Sequence, residues 1–120
     1  MAASSAIWLV CGGREFEDAD AVFGALMCAA EERGQPAMLI HGGYRGVDLL
    51  AAEWARENGV HSAEVLALWD EYGKAAGPKR NAAMLLLRPD LVIAFPGRVG
   101  TADMVRKAVA AGVEVLKWNY

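Results

Sequence analysis

The chain has 120 residues, 55% of them apolar and 22% charged, with a formal net charge of −3. That length suits one domain with a sizeable core and leaves no room for two. The composition excludes a disordered or low-complexity chain, and the acidic balance excludes a general attraction to polyanions such as DNA.

In chain order, residues 6–11 are continuously apolar, as in a central parallel strand covered on both faces. They end at Gly12-Gly13-Arg14. Asp18 or Asp20 is placed to cap a helix over residues 21–31 that Gly34 closes. After Pro36, residues 37–41 form a second apolar strand, running into the turn His41-Gly42-Gly43-Tyr44-Arg45-Gly46-Val47-Asp48. A helical pattern over 49–56 stops at Asn58-Gly59. The third strand, 62–66, is short and mixed in character. Residues 67–81 then form a long connection with two aromatics, two lysines, one arginine, two glycines and a proline, unlike a core element and of a length that functional loops have. Pro78 suits the first turn of a helix that continues through residues 82–87 and stops before Pro89. A fourth strand over 90–94 opens into Phe95-Pro96-Gly97-Arg98-Val99-Gly100-Thr101, followed by a helix over 102–111, closure at Gly112 and a fifth strand over 113–117.

This alternation predicts an α/β, three-layer domain spanning residues 1–120, its five-stranded parallel sheet in the order 3-2-1-4-5. Ligands bind such sheets at the carboxyl ends of the strands, near the switch in strand order. All three glycine turns fall at that edge, and Arg14 and Arg98 are expected to meet there. The turn after the fourth strand is either an anion pocket or a tight turn that binds nothing. In the first case, backbone N–H groups and the helix dipole face the ligand, Gly97 and Gly100 allow close approach, and Thr101 caps the helix or donates to a phosphate oxygen.

A phosphate also needs cations, and Arg14, Arg45, Lys74, Lys79, Arg80 and Arg98 lie near predicted strand ends. Arg80, beside Asn81 at a helix start after Gly77-Pro78, is the preferred one. Asp48 either accepts from a ribose hydroxyl or caps the helix that follows. Trp69 and Tyr72 offer stacking surfaces for a base, although a tryptophan beside Leu66 and Leu68 is the usual stuff of a core. His41 reads as a structural histidine, and His61 as a surface one. No HExxH, Cys/His cluster or acidic repeat calls for a metal or another cofactor, and Ser4, Ser5 and Ser62 lack a nucleophile's context. Cys11 and Cys28, without a CxxC, are expected to be buried reduced thiols of a cytoplasmic protein. The first ten residues carry no basic n-region, and the run 6–11 is too short to span a membrane.

Together, Gly12-Gly13-Arg14, the turn 41–48, the stretch 72–81 and the turn 95–101 resemble the YspA/YpsA-related branch of the SLOG superfamily. The likeness runs from about Ile7 to Trp118. That Rossmann-like superfamily also contains the LOG phosphoribohydrolases and the DNA-processing protein DprA. The resemblance implies a nucleotide or nucleotide-derived ligand and a homodimer, with Gly12, Gly13, Arg14, Gly43 and Asp48 lining the crevice. LOG enzymes hold phosphate with a Pro-Gly-Gly-x-Gly-Thr-x-x-Glu motif whose glutamate assists cleavage of the N-glycosidic bond. Here Pro96, Gly97, Gly100 and Thr101 match, Arg98 replaces the second glycine, and Met104 stands at the glutamate position. Arg80 and Met84 keep the LOG Arg-x-x-x-Met spacing. Asp103, the nearest acid, is one residue early and turned about 100° away on a helix. The resemblance thus implies a binding or sensing domain with a phosphate site. Its alternative is a phosphoribohydrolase resting on Asp48 or Asp103, with a DNA-associated module as a third, less favoured reading.

Overall fold

The computed structural model describes residues 5–118, so Ser4 lies outside the described residues. Five strands, β1 (Ile7–Cys11), β2 (Met38–His41), β3 (His61–Glu64), β4 (Leu91–Ala94) and β5 (Glu114–Lys117), form one parallel sheet in the order β3-β2-β1-β4-β5. The helices are α1 (Ala19–Arg33), α2 (Val47–Glu57), α3 (Trp69–Tyr72), α4 (Ala76–Leu85) and α5 (Val99–Ala110), with a 3-10 turn at Gly73–Ala75 between α3 and α4. The strand order is the expected one. The architecture is α/β and Rossmann-like, and no helix among the described residues is long and apolar enough to cross a membrane.

The apolar runs of the inner strands serve two cores at once, because successive side chains leave a strand on opposite faces. Trp8 and Val10 of β1, Leu39 of β2 and Leu91 and Ile93 of β4 pack under α1 and α2, where Trp8 stacks on Trp54 at 6.1 Å. Leu9, Ile40 and Val92 face the other way, onto Met84 of α4 and Met104 and Ala108 of α5. Register enforces the division: Trp8 sits opposite Leu39 and Leu91, and Leu9 opposite Ile40 and Val92. A one-residue slip would exchange every one of these side chains between layers.

The ends of α1 match expectation, and several other boundaries differ. Asp18 caps α1, its carboxylate accepting from the Ala21 N–H at 3.0 Å, and Gly34 ends the helix at φ 83°. β3 begins at His61, earlier than the expected residue 62, because this edge strand is largely exposed and does not need an apolar run. Residues 67–81 are not one irregular loop: α3, the 3-10 turn and the first turns of α4 occupy most of the stretch. α5 starts at Val99, so Thr101 is its third residue and Arg98 the N-cap. The expected Thr101 cap is replaced by a helix start with no side-chain cap bond. Cys11 and Cys28 are free thiols, but Cys28 is exposed instead of buried.

Candidate functional site

Parallel pairing puts the ends of β1, β2 and β4 on one edge, and the turns leaving them interlock. The Gly13 N–H donates to the Pro96 carbonyl at 2.8 Å, and the Val47 N–H reaches the Gly13 carbonyl at 3.4 Å. A methyl group on Gly13 would sit 2.9 Å from the Pro96 carbonyl oxygen; on Gly97 it would collide with the Thr101 hydroxyl and lie 2.9 Å from the Gly13 nitrogen. One on Gly46 would run into the Gly13 carbonyl, and one on Gly12 would lie 2.8 Å from Cβ of Val47. Gly13, Gly46 and Gly97 are therefore required where backbone lies close to backbone, and Gly12 where the chain passes against the Val47 and Phe95 side chains. Thr101 is 8% exposed, with its hydroxyl directed at Gly97. The uncapped first turn of α5 begins beside it, where helix N–H groups have no intrahelical partners.

Arg80, brought by α4, closes the edge from the other side. Its Nη1 donates to the Gly42 carbonyl at 3.2 Å and the Val65 carbonyl at 3.5 Å, and its Nε donates to Asn81 Oδ1 at 3.1 Å. Its guanidinium lies 5.3 Å from the Tyr44 ring, and that of Arg14 lies over the same ring at 4.1 Å. Tyr44 thus touches both cations. Its hydroxyl is buried without a hydrogen-bond partner, and the sequence alone does not single it out as a site residue. The available signal was its place between Gly43 and Gly46, whose φ angles of 77° and 82° set the loop's path.

Asp48 is 7% exposed. It is not the N-cap of α2, a position held by Gly46. Its carboxylate reaches back from the first turn to accept from the Tyr44 N–H at 3.3 Å. Burial raises its carboxyl to about 6, against the pull of hydrogen bonds from Tyr44 and Gly42 and the charges of Arg80 and Arg14. Burial, together with the nearby Asp48 charge, pushes the Cys11 thiol up to about 12 despite Arg80, which makes it a poor nucleophile. His41 is buried, its Nδ1 accepting from the Gly43 N–H at 3.0 Å. Burial holds its imidazole below the ordinary value while the Glu64 charge pulls it up, and His61 is exposed.

Other candidates have different employment. Asn81 is buried, and its amide donates to the Gly100 carbonyl at 3.1 Å and to Asp103 Oδ2 at 3.0 Å, tying α4 to the first turn of α5. Asp103 also takes Lys107 and Arg106, each at 2.6 Å. Burial alone would raise its carboxyl, but hydrogen bonds from Lys107 and Asn81 and the charges of Lys107 and Arg106 hold it below the usual range. It is a fully engaged helix-joining carboxylate. Met104, at the LOG glutamate position, is 1% exposed and packed among Leu9, Met84 and Val92, so that position points into the core. Arg14 and Arg98 do not converge: Arg98 pairs with Glu15 at 3.6 Å on the surface, while Arg14 turns to Tyr44. Lys79 lies 4.8 Å over the Tyr72 ring, and Arg45 and Lys74 are exposed. Trp69, favoured as a core residue, is 41% exposed, and Leu66 and Leu68 beside it also stand in solvent.

The parallel β3-β2-β1-β4-β5 sheet with glycine turns at its carboxyl edge defines a Rossmann-like domain. Residues 7–72 match the model of the YspA, cpYpsA-related SLOG family, and the chain belongs to that family. It is 36% identical over 118 residues to the Gene 61 protein of Mycobacterium phage D29, covering 92% of this chain and 94% of that one. Among solved structures it resembles DNA processing protein A (DprA) from Streptococcus pneumoniae, with a TM-score of 0.72 and 20% identity over 93% of this chain. It spans half of the DprA chain. It also resembles TM1055, with a TM-score of 0.68 and 22% identity, over 92% of this chain and 72% of that one.

Proposed function

We propose that this protein binds a nucleotide or nucleotide-derived ligand, as a binding or sensing module, at the carboxyl edge of β1, β2 and β4. The observation that carries the reading is the turning of Arg80 onto Gly42, beside Asp48, at an edge where the glycine turns interlock and α5 begins uncapped next to the nine-tenths buried Thr101. In this reading the phosphate takes the first N–H groups of α5 and the Thr101 hydroxyl, a guanidinium supplies countercharge, and Asp48 accepts from a ribose hydroxyl. The LOG-like reading, hydrolysis of the N-glycosidic bond, draws support only from the raised carboxyl of Asp48, since Asp103 is engaged and Met104 is apolar and buried. A positioned carboxylate is what that chemistry demands.

Calorimetric titration with nucleoside 5′-monophosphates, ribose 5-phosphate and inorganic phosphate tests the proposal. Arg80→Met keeps the aliphatic stem and removes the charge, and it is expected to weaken nucleotide binding about 10- to 100-fold, the worth of one charge-assisted contact. Failure of every phosphate compound to bind at millimolar concentration refutes the proposal. Steady release of free base, abolished by Asp48→Ala, would replace a binding module with an enzyme. A salt-dependent affinity for single-stranded DNA would favour the DNA-associated reading.

A further inference from the structure

Between β3 and α4 the chain leaves four large apolar side chains in water within seven residues: Leu66 is 61% exposed, Leu68 54%, Trp69 41% and Tyr72 43%. Single exposed apolar residues need no explanation, whereas a cluster beside a polar crevice marks a binding surface. Trp69 is held in place. Its ring edge rests on Gly77, where a methyl group would come within 3.3 Å of Cη2, and its ring stands 6.2 Å from that of Tyr44 at an interplanar angle of 51°. Tyr44 in turn touches Arg14 and Arg80, and Arg80 donates to the Val65 carbonyl immediately before the cluster. An aromatic surface therefore runs from Trp69 through Tyr44 to Arg14 and Arg80.

Resting on the function proposed above, we infer that this shelf receives the base of the ligand, with Trp69 as the stacking platform, so that the protein selects a mononucleotide over a bare sugar phosphate. The chemistry is a flat aromatic ring joined through a ribose to an anion: the anion is drawn to the basic crevice, and the ring covers apolar surface otherwise left in water. Because stacking uses the π-face alone, the shelf favours purines over pyrimidines by ring size and discriminates weakly among purines. A nucleic-acid strand is a poor occupant. α3 carries Asp70 and Glu71, both exposed beside Trp69, and their charge repels a phosphodiester backbone crossing the shelf.

The test compares the affinities of a purine nucleoside 5′-monophosphate, ribose 5-phosphate and a short single-stranded oligonucleotide for the wild type, Trp69→Ala and Trp69→Phe, by calorimetry. The wild type is expected to hold the nucleotide about 10- to 100-fold more tightly than ribose 5-phosphate. Trp69→Ala removes that advantage and leaves ribose 5-phosphate binding unchanged, while Trp69→Phe keeps most of it. A nucleotide-to-sugar-phosphate ratio untouched by Trp69→Ala, an equal loss for both ligands, or an oligonucleotide that outcompetes the mononucleotide overturns the inference. If ribose 5-phosphate binds but the base adds nothing, only the shelf is refuted; if neither compound binds, the function proposed above falls with it.

Discussion

Replacing Asp48 with asparagine should make the unliganded protein more stable, and the gain should depend on pH. Burial lifts this carboxyl from 3.8 to about 6, so the folded chain holds its proton more tightly than the unfolded chain does. Asp48 therefore favours folding most below pH 3.8; that advantage is lost as pH rises through about 6, and above it the ionised carboxylate is a standing penalty. A gap of about two pH units, at roughly 1.36 kcal/mol per unit, makes that penalty about 3 kcal/mol. Asparagine keeps the shape and an oxygen to accept from the Tyr44 N–H, while its new amide donors need partners that cost part of the gain. Asp48→Asn is thus expected to add about 1–3 kcal/mol to the unfolding free energy at pH 8, and about 2 kcal/mol less than that at pH 4.5. At roughly 4 °C per kcal/mol for a chain of this size, the midpoint rises by up to about 12 °C at pH 8. Urea unfolding of both proteins, followed by tryptophan fluorescence at the two pH values, measures the difference. A stability gap of the same size at pH 8 and pH 4.5 would refute the argument, because only a buried, ionising carboxylate makes it change.

Three further substitutions probe the site's construction. Gly97→Ala forces a methyl group into the Thr101 hydroxyl and the Gly13 backbone, and is expected to cost about 1–3 kcal/mol. Gly100→Ala, where nothing lies within 4 Å of the added carbon, should fold as well as the wild type or gain up to about 1 kcal/mol from helix propensity; thermal melts separate the two. Met104→Glu puts a carboxylate among Leu9, Met84 and Val92 and should cost more than about 3 kcal/mol at pH 7, easing as pH falls and the group protonates, which a pH series of urea midpoints reads.

The strands and their order were legible because Ile7 to Cys11 and Leu91 to Ala94 are apolar on both faces, which only a parallel sheet between two helical layers accommodates. β3 was harder to delimit: as an edge strand it carries exposed His61, Ser62 and Glu64, and no periodicity marks it. The meeting of the glycine turns followed from topology, and Arg80 was readable from its place at a helix start behind Gly77-Pro78. Side-chain partnerships were not. That Asn81 would be consumed by Gly100 and Asp103, or Arg98 drawn off by Glu15, depends on how α4 and α5 pack and on which rotamer reaches which neighbour. Tyr44 escaped notice for a related reason: the two arginines it touches come from positions 30 residues before it and 36 after it, a proximity created only by folding.

The interlocking of the turns also constrains how such a protein can diversify. Gly13, Gly46 and Gly97 fit against one another through bare main chain, so no one of these loops can lengthen or acquire a side chain unless the others shift. By contrast, α3 and the 3-10 turn after it contain no buried residue. Novelty in molecular preference among homologues is accordingly expected to accumulate at positions 66–75, and transplanting that decapeptide between relatives is a direct route to re-specifying what the scaffold captures.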